Sequence, residues 1–255
     1  MPMNRREFIY GSIATAAAGL FSHTEAATAS APKFKALAFD AFPIFDPRPI
    51  YSLAESLYPD KGIELANAWR TRQFEYQWLR AISGTYADFW QVTQDALIFS
   101  AKLLDLELST AKRSQLMDAY LEMKAWPDAG QALASLRKAG VRLAFMSNAT
   151  EKILQAGIRN SGLDGIFEHV ISTDRIRTYK PDPRAYQMAV DMFGLKKEDI
   201  GFVAFAGWDA AGAKAFGYPT FWANRLNLPA EELGVTADAS GRTLLDLVEF
   251  VIPRN

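Results

Sequence analysis

The sequence predicts an α/β fold: a doubly wound parallel sheet with a helical cap domain inserted after its first strand. Three observations predict it. Short, nearly unbroken apolar runs alternate with segments of helical period from about residue 128 onward, as in parallel strands buried on both faces. The block from about Tyr51 to Met123 keeps a helical period and offers no strand. Polar residues stand at the ends of the apolar runs, where an open α/β sheet binds its ligands.

The elements follow in order. "KALAF" (residues 35–39) reads as the first strand and delivers Asp40; Pro47 and Pro49 break the chain soon after. In the cap block, "AWRTRQFEYQWLRAI" places Trp69, Phe74, Trp78 and Leu79 near helical spacing, and "DFWQVTQDALIFSAKLL" continues that mode. "STAKRSQLMDAYLEM" reads as an amphipathic helix, with Ser109 as N-cap and Leu116, Tyr120 and Met123 as its buried stripe. "AGQALASLRKAG" is a helix closed by Gly140. "VRLAFMSNAT" is a strand ending in Ser147 and Asn148, and "EKILQAGIRNSG" the helix after it. "IFEHVIST" (strand), "PDPRAYQMAVDMFG" (helix), "DIGFVAFAGW" (strand), "DAAGAKAFG" (short helix) and "YPTFWAN" (last strand) complete the alternation. The expected division is therefore a core of residues 32–48 and 125–255, with residues 49–124 as the cap.

Bulk properties narrow the chemistry. The chain has 255 residues, 49% of them hydrophobic, enough for a sizeable core. Lys and Arg number 28 against 29 Asp and Glu, so no net field draws the protein to nucleic acid or an anionic membrane. Cysteine is absent, which excludes disulfides and thiolate chemistry. His23 and His169 are the only histidines, so a polyhistidine zinc site is excluded as well. Catalysis would fall to carboxylates, Lys, Arg, Ser, Asn or Tyr.

Residues 1–31 read as a secretory signal: a charged start, an apolar run from Phe8 to Phe21, then small residues. Arg5-Arg6 followed by Glu7 and Phe8 resembles the twin-arginine signature, an address and not an anchor. The run is short against the ~20 apolar residues of a membrane span. Cleavage is expected after Ala26, Ala29 or Ala31, with Ala29 the choice, leaving a mature protein in a bacterial periplasm or exterior with no membrane segment.

Taken alone, Asp40 is a turn or helix-capping acid, Ser147-Asn148 a cap for the next helix, and Arg70 a solvated helix arginine. Taken together the segments point elsewhere. Strand–Asp40, strand–Ser147-Asn148, Tyr179-Lys180-Pro181 and strand–x–Asp209, in that order, resemble the haloacid dehalogenase superfamily. "FDAF", "WRTRQFEYQWLRA", "YKPDPRAYQMA" and "WDAAGAKAFGYPTFWANR" resemble its L-2-haloacid dehalogenase (type II) branch, and the likeness runs from about Lys35 to the C-terminal helix.

The resemblance implies a haloacid dehalogenase-like, Rossmannoid core and a metal-independent hydrolase with no cofactor. Its substrate would be a short 2-halo acid or related carboxylate, with (S)-2-haloacid and water giving (R)-2-hydroxyacid and halide. Asp40 would displace the halide from C2 and form an ester, which water opens at the Asp40 carbonyl carbon. Lys180 would keep Asp40 ionised, and Asp209 would pair with Lys180 or position the water. Arg70 would take the departing halide, and Ser147 and Asn148 the substrate carboxylate and part of the halide pocket. Tyr186 would position Lys180 or the substrate; Phe42, Trp69 and Trp208 would wall the pocket. Phosphatases of the superfamily carry a second Asp where this chain has Phe42, and magnesium-binding acids near Asp209 that this chain lacks. The resemblance also implies a homodimer, its interface on the apolar cap helices.

The chain departs from the family pattern at four positions. Pro43-Ile44 replaces a usual Gly-Thr, and Ala204 and Ala206 stand where Ser and Asn are common. Two alternatives therefore stay open beside dehalogenation: a same-fold hydrolase of another small acid or ester, and a non-catalytic protein that binds small carboxylates.

Overall fold

The computed structural model describes residues 31–253; the twin-arginine pair and the apolar run after it lie outside these residues. Six parallel strands form one sheet in the order β3-β2-β1-β4-β5-β6. They are β1 (Ala36–Phe39), β2 (Arg142–Ser147), β3 (His169–Ser172), β4 (Ile200–Ala204), β5 (Thr220–Ala223) and β6 (Ala239–Gly241). β1 is central, with Phe39 in register with Phe145 on one side and Val203 on the other. All of β1 is buried, which explains its unbroken apolar run: helices cover both faces. β2 and β3 lie to one side of β1 and β4 to β6 to the other, so the strand order reverses at β1. Connections diverge there and open a crevice beyond the strands' carboxyl ends. Asp40 is the first residue past β1, at that point.

Four helices lie between β1 and β2: α1 (Arg48–Leu57), α2 (Gly62–Ile82), α3 (Phe89–Leu103) and α4 (Thr110–Asp118). They form a layer above the crevice. Both chain crossings into this layer run side by side: Phe45 bridges Ala125, Asp46 N–H donates to the Lys124 carbonyl at 2.9 Å, and Trp126 N–H to that of Ile44 at 2.9 Å. The remaining helices, α5 (Ala129–Lys138), α6 (Glu151–Asn160), α7 (Pro183–Phe193), α8 (Gly207–Phe216) and α9 (Leu244–Val251), flank the sheet. Side-chain oxygens cap many of these starts: Ser109, as expected, and also Asp88, Thr150, Asp182 and Thr243 each accept a first-turn N–H. Gly140 takes a left-handed φ of 84° after α5.

Two differences from the sequence reading have physical causes. The sheet does not end at β5. Three residues, Ala239–Gly241, add an edge strand that carries neither an apolar run nor an alternation to announce it. The inward face of α2 is also not the expected one. Leu79 is 59% exposed, whereas Gln73 and Gln77 are buried with Leu65, Ala66 and Trp69. Apolar periodicity is blind to a helix that points amides inward.

One core contact gives a signed test. Gly157 on α6 faces the ring of Phe45, itself fully buried and stacked on Phe145 at 5.2 Å. A methyl at Gly157 would lie 2.6 Å from Phe45 Cζ. Ala is the better helix former by roughly 1 kcal/mol, but overpacking costs about 1–3 kcal/mol. Gly157→Ala should therefore lower the urea midpoint at unchanged slope; a raised midpoint would contradict this packing.

Candidate active site

Three strand ends and two helices build one buried network. Asp40 is held at the β1 terminus by its own N–H, which donates to the Val203 carbonyl at 3.0 Å. Ser147, the last residue of β2, donates its hydroxyl to Asp40 Oδ1 at 3.0 Å. Lys180, beyond β3, donates Nζ to the same oxygen at 2.9 Å and to Asp209 Oδ2 at 2.6 Å. Tyr186 on α7 donates its hydroxyl to Asp209 Oδ1 at 2.8 Å, not to Lys180. α7 and α8 approach closely because position 212 is glycine: a methyl there would lie 2.5 Å from the Tyr186 hydroxyl oxygen. Asp40 Oδ2, in contrast, accepts a single bond among the described residues, from the Phe42 N–H at 3.3 Å. One carboxylate oxygen is anchored and the other is left free to react.

The electrostatics follow from burial. Lys180 is 1% exposed. Desolvation pulls its pKa down, but the charges of Asp209 and Asp40 and their hydrogen bonds outweigh it, and the net direction is up. Asp209 is pushed up to about 6 by burial first and by the charge of Asp40; Lys180 and Tyr186 hold it back. It also stands in the first turn of α8, where the helix dipole favours a carboxylate.

Asn148 is fixed by three neighbours. Its Oδ1 accepts from Lys180 N–H at 2.9 Å and Thr173 Oγ1 at 3.3 Å, and its Nδ2 donates to Gln77 Oε1 at 2.8 Å. Neither Ser147 nor Asn148 caps the following helix; Thr150 does that, which leaves both for the site. Trp78 on α2 donates its indole N–H to the Lys180 carbonyl at 3.2 Å. Thus α2 holds the core at Asn148 and Lys180. Sequence reasoning missed Gln77. Its only signal was position, seven residues after Arg70 and so on the same helix face.

Arg70 stands apart from the network. It borders a small cavity, about 20 Å³, with Phe42, Tyr51, Gln73, Phe74 and Phe205. Its guanidinium lies 5.6 Å from the Phe74 ring centre, and among the described residues it forms no ion pair. Trp208 meets Phe74 edge-on at 5.3 Å and Trp78 at 5.4 Å, and lines a larger cavity of about 810 Å³ on the far side. Trp69 is not a pocket wall. It is buried within the cap, its indole N–H on the Thr93 carbonyl at 2.8 Å and its ring against Tyr120, because its position faces α3.

The unusual loop after Asp40 is braced from elsewhere. Arg225, with a side chain 4% exposed, donates to the Pro43 carbonyl at 2.8 and 3.0 Å and pairs with Asp128 at 3.0 Å. The Trp126 indole donates to the Phe42 carbonyl at 3.0 Å, and Ile44 is fully buried. Ala206 is the N-cap of α8 and offers no side-chain acceptor. A divalent cation finds a poor donor set here. Phe42, Ala204 and Ala206 carry no side-chain oxygen, and both oxygens of Asp209 are already engaged.

Comparison with known proteins agrees with this architecture. A family model for haloacid dehalogenase-like hydrolases matches residues 14–217. The chain is 39% identical over 207 residues to haloacetate dehalogenase H-2 of Moraxella sp. (strain B), covering 81% of this chain and 92% of that one. It is 38% identical over 217 residues to an (S)-2-haloacid dehalogenase of Pseudomonas sp. (strain YL), covering 85% and 94%. The crystal structure of the L-2-haloacid dehalogenase RSc1362 superposes with a TM-score of 0.84 at 38% identity, over 86% of this chain and 99% of the other. By sequence and by fold, the chain belongs to the haloacid dehalogenase-like hydrolases.

Proposed function

We propose that this protein hydrolyses short 2-halo acids, converting an (S)-2-haloacid and water to an (R)-2-hydroxyacid and halide. The observation that carries the reading is Asp40 itself: a buried carboxylate with Oδ1 tied to Lys180 and Ser147 and Oδ2 nearly free. In the first step Oδ2 attacks C2, the carbon–halogen bond breaks with its electron pair leaving on the halide, and an ester forms on Asp40. Arg70, a fixed cation without a carboxylate partner, receives the halide. Phe42, Phe74 and Phe205 keep that corner dry, and Trp208 backs Phe74 from the far cavity. Ser147 and Asn148 hold the substrate carboxylate.

In the second step water adds to the ester carbonyl carbon. Its proton passes to Asp209, whose raised pKa makes it a usable base near neutral pH. The adduct collapses and the hydroxy acid leaves with that proton on its new hydroxyl; the second water proton, left on the new Asp40 oxygen, passes by way of Asp209 to solvent, and Asp40 returns as a carboxylate. Ester formation removes one negative charge beside Lys180, leaving Lys180 and Asp209 as a balanced pair. The likeness to the Moraxella haloacetate dehalogenase and the Pseudomonas (S)-2-haloacid dehalogenase supports the substrate class.

The same reading places the mature protein outside the cytoplasm, exported through the Arg5-Arg6 signal, as a homodimer joined through its cap. Cell fractionation tests the first: Arg5→Lys with Arg6→Lys should leave full-length protein in the cytoplasm, and continued export would remove the twin-arginine route. Sedimentation of the mature protein tests the second, a monomeric mass being the contrary result.

Halide release from (S)-2-chloropropionate should fall by roughly a thousandfold or more in Asp40→Asn. In single-turnover reactions in oxygen-18 water, the label should enter the Asp40 side chain. Label found only in the product hydroxyl would overturn the ester route.

The acid limb follows from Asp209. Protonation near pH 6 removes both the base and the Lys180 partner, so kcat/KM should decline below about pH 6. Stability runs the other way. Asp209's folded value lies above its ordinary 3.8, so its contribution to stability is full below about pH 4 and is lost as pH rises through about 6. A rate profile flat down to pH 5 would exclude Asp209 as the titrating group.

A further inference from the structure

Gln77 is completely buried, yet among the described residues its Nε2 has no hydrogen-bond partner. The orientation of its amide is fixed by its neighbours. Asn148 Oδ1 must be the oxygen, because it accepts from the backbone N–H of Lys180. Asn148 therefore presents its NH2 to Gln77, and Gln77 must present its oxygen in return. That leaves two N–H donors of Gln77 unpartnered where α2 meets Asn148. An unsatisfied buried donor costs about 1–3 kcal/mol, so a fully buried amide kept in this state points to an acceptor that arrives later.

Position suggests which acceptor. Gln77 lies seven residues beyond Arg70 on the inward face of α2, about 10 Å along the axis. Asn148, which it contacts, follows Ser147, and Ser147 touches Asp40. A short halo acid bound at Asp40, with a hydrogen bond of about 3 Å at each end, fits that spacing: halide toward Arg70, carboxylate toward Gln77.

We propose that Gln77 binds the substrate by donating its free amide hydrogens to the carboxylate of the 2-halo acid. This rests on the dehalogenase reading for the identity of the acid. It deepens that reading by giving the cap a specificity-determining residue for the acid end, separate from Arg70 at the halide end.

Two variants and two probes test it. Propionate carries the carboxylate without halogen; bromide is the halide without the acid. Gln77→Leu should weaken propionate binding, measured by calorimetry on the mature protein, by roughly tenfold or more. It should raise KM for (S)-2-chloropropionate by a similar factor while bromide inhibition stays as in the wild type. Gln77→Glu keeps an oxygen for Asn148 but puts an acceptor where the donors were. It should weaken propionate binding further than Leu does, and the loss should shrink as acidification protonates the new side chain. Unchanged propionate affinity in folded Gln77→Glu would overturn the proposal, as would weakened bromide with unchanged propionate. If the wild type binds propionate through Gln77 but releases no halide from any halo acid, the dehalogenase reading fails and this assignment stands.

Discussion

One ammonium serving two carboxylates governs this site. Lys180 is buried between Asp40 and Asp209, so the trio carries one uncompensated negative charge in a place water hardly reaches. A buried cation without partners would lose its proton, and two buried carboxylates without a cation would not both ionise. Each member is therefore charged because of the others. Burial first, and then the charge of Asp40, raises the pKa of Asp209, while one oxygen of Asp40 keeps only a single hydrogen bond among the described residues. Alkylating Asp40, the proposed first step, would relieve the excess. The fold thus stores in its resting charge count part of the drive toward the ester.

The sheet order explains why these three groups meet. Lys180 stands 140 residues after Asp40 and 29 before Asp209 in the chain. A parallel sheet gathers its carboxyl ends on one edge, and the reversal at β1 opens the gap that receives them. The cap then supplies what the sheet cannot, with Trp78 and Gln77 reaching down to Lys180 and Asn148. Closing that gap excludes water, which strengthens every charge inside it.

Much of this was legible in the residues, for reasons that also mark the limit. Apolar runs gave five strands because burial on both faces demands them; β6 was invisible because an edge strand of three small residues demands nothing of its sequence. Asp40, Ser147, Asn148, Lys180 and Asp209 were legible as polar residues placed after strands, in an order that resembles a known family. Trp69 was misread because an aromatic at helical spacing does not declare which neighbour it faces. Gln77 escaped because hydrophobic patterning scores a buried amide as surface. Arg225 escaped because nothing local ties it to a proline 182 residues earlier.

That last tie has a consequence for how the protein is made. Pro43 precedes its guanidinium partner by 182 residues, so its carbonyl is braced only after residue 225 emerges. Asp128, the anion that steadies that guanidinium, also accepts the backbone N–H of Leu244 at 2.6 Å. The turn that follows Asp40 is thus clasped by a much later segment of the chain. A nascent chain that has not yet reached residue 225 has the acid but not its clasp, and one that has not reached Leu244 lacks part of what steadies Asp128.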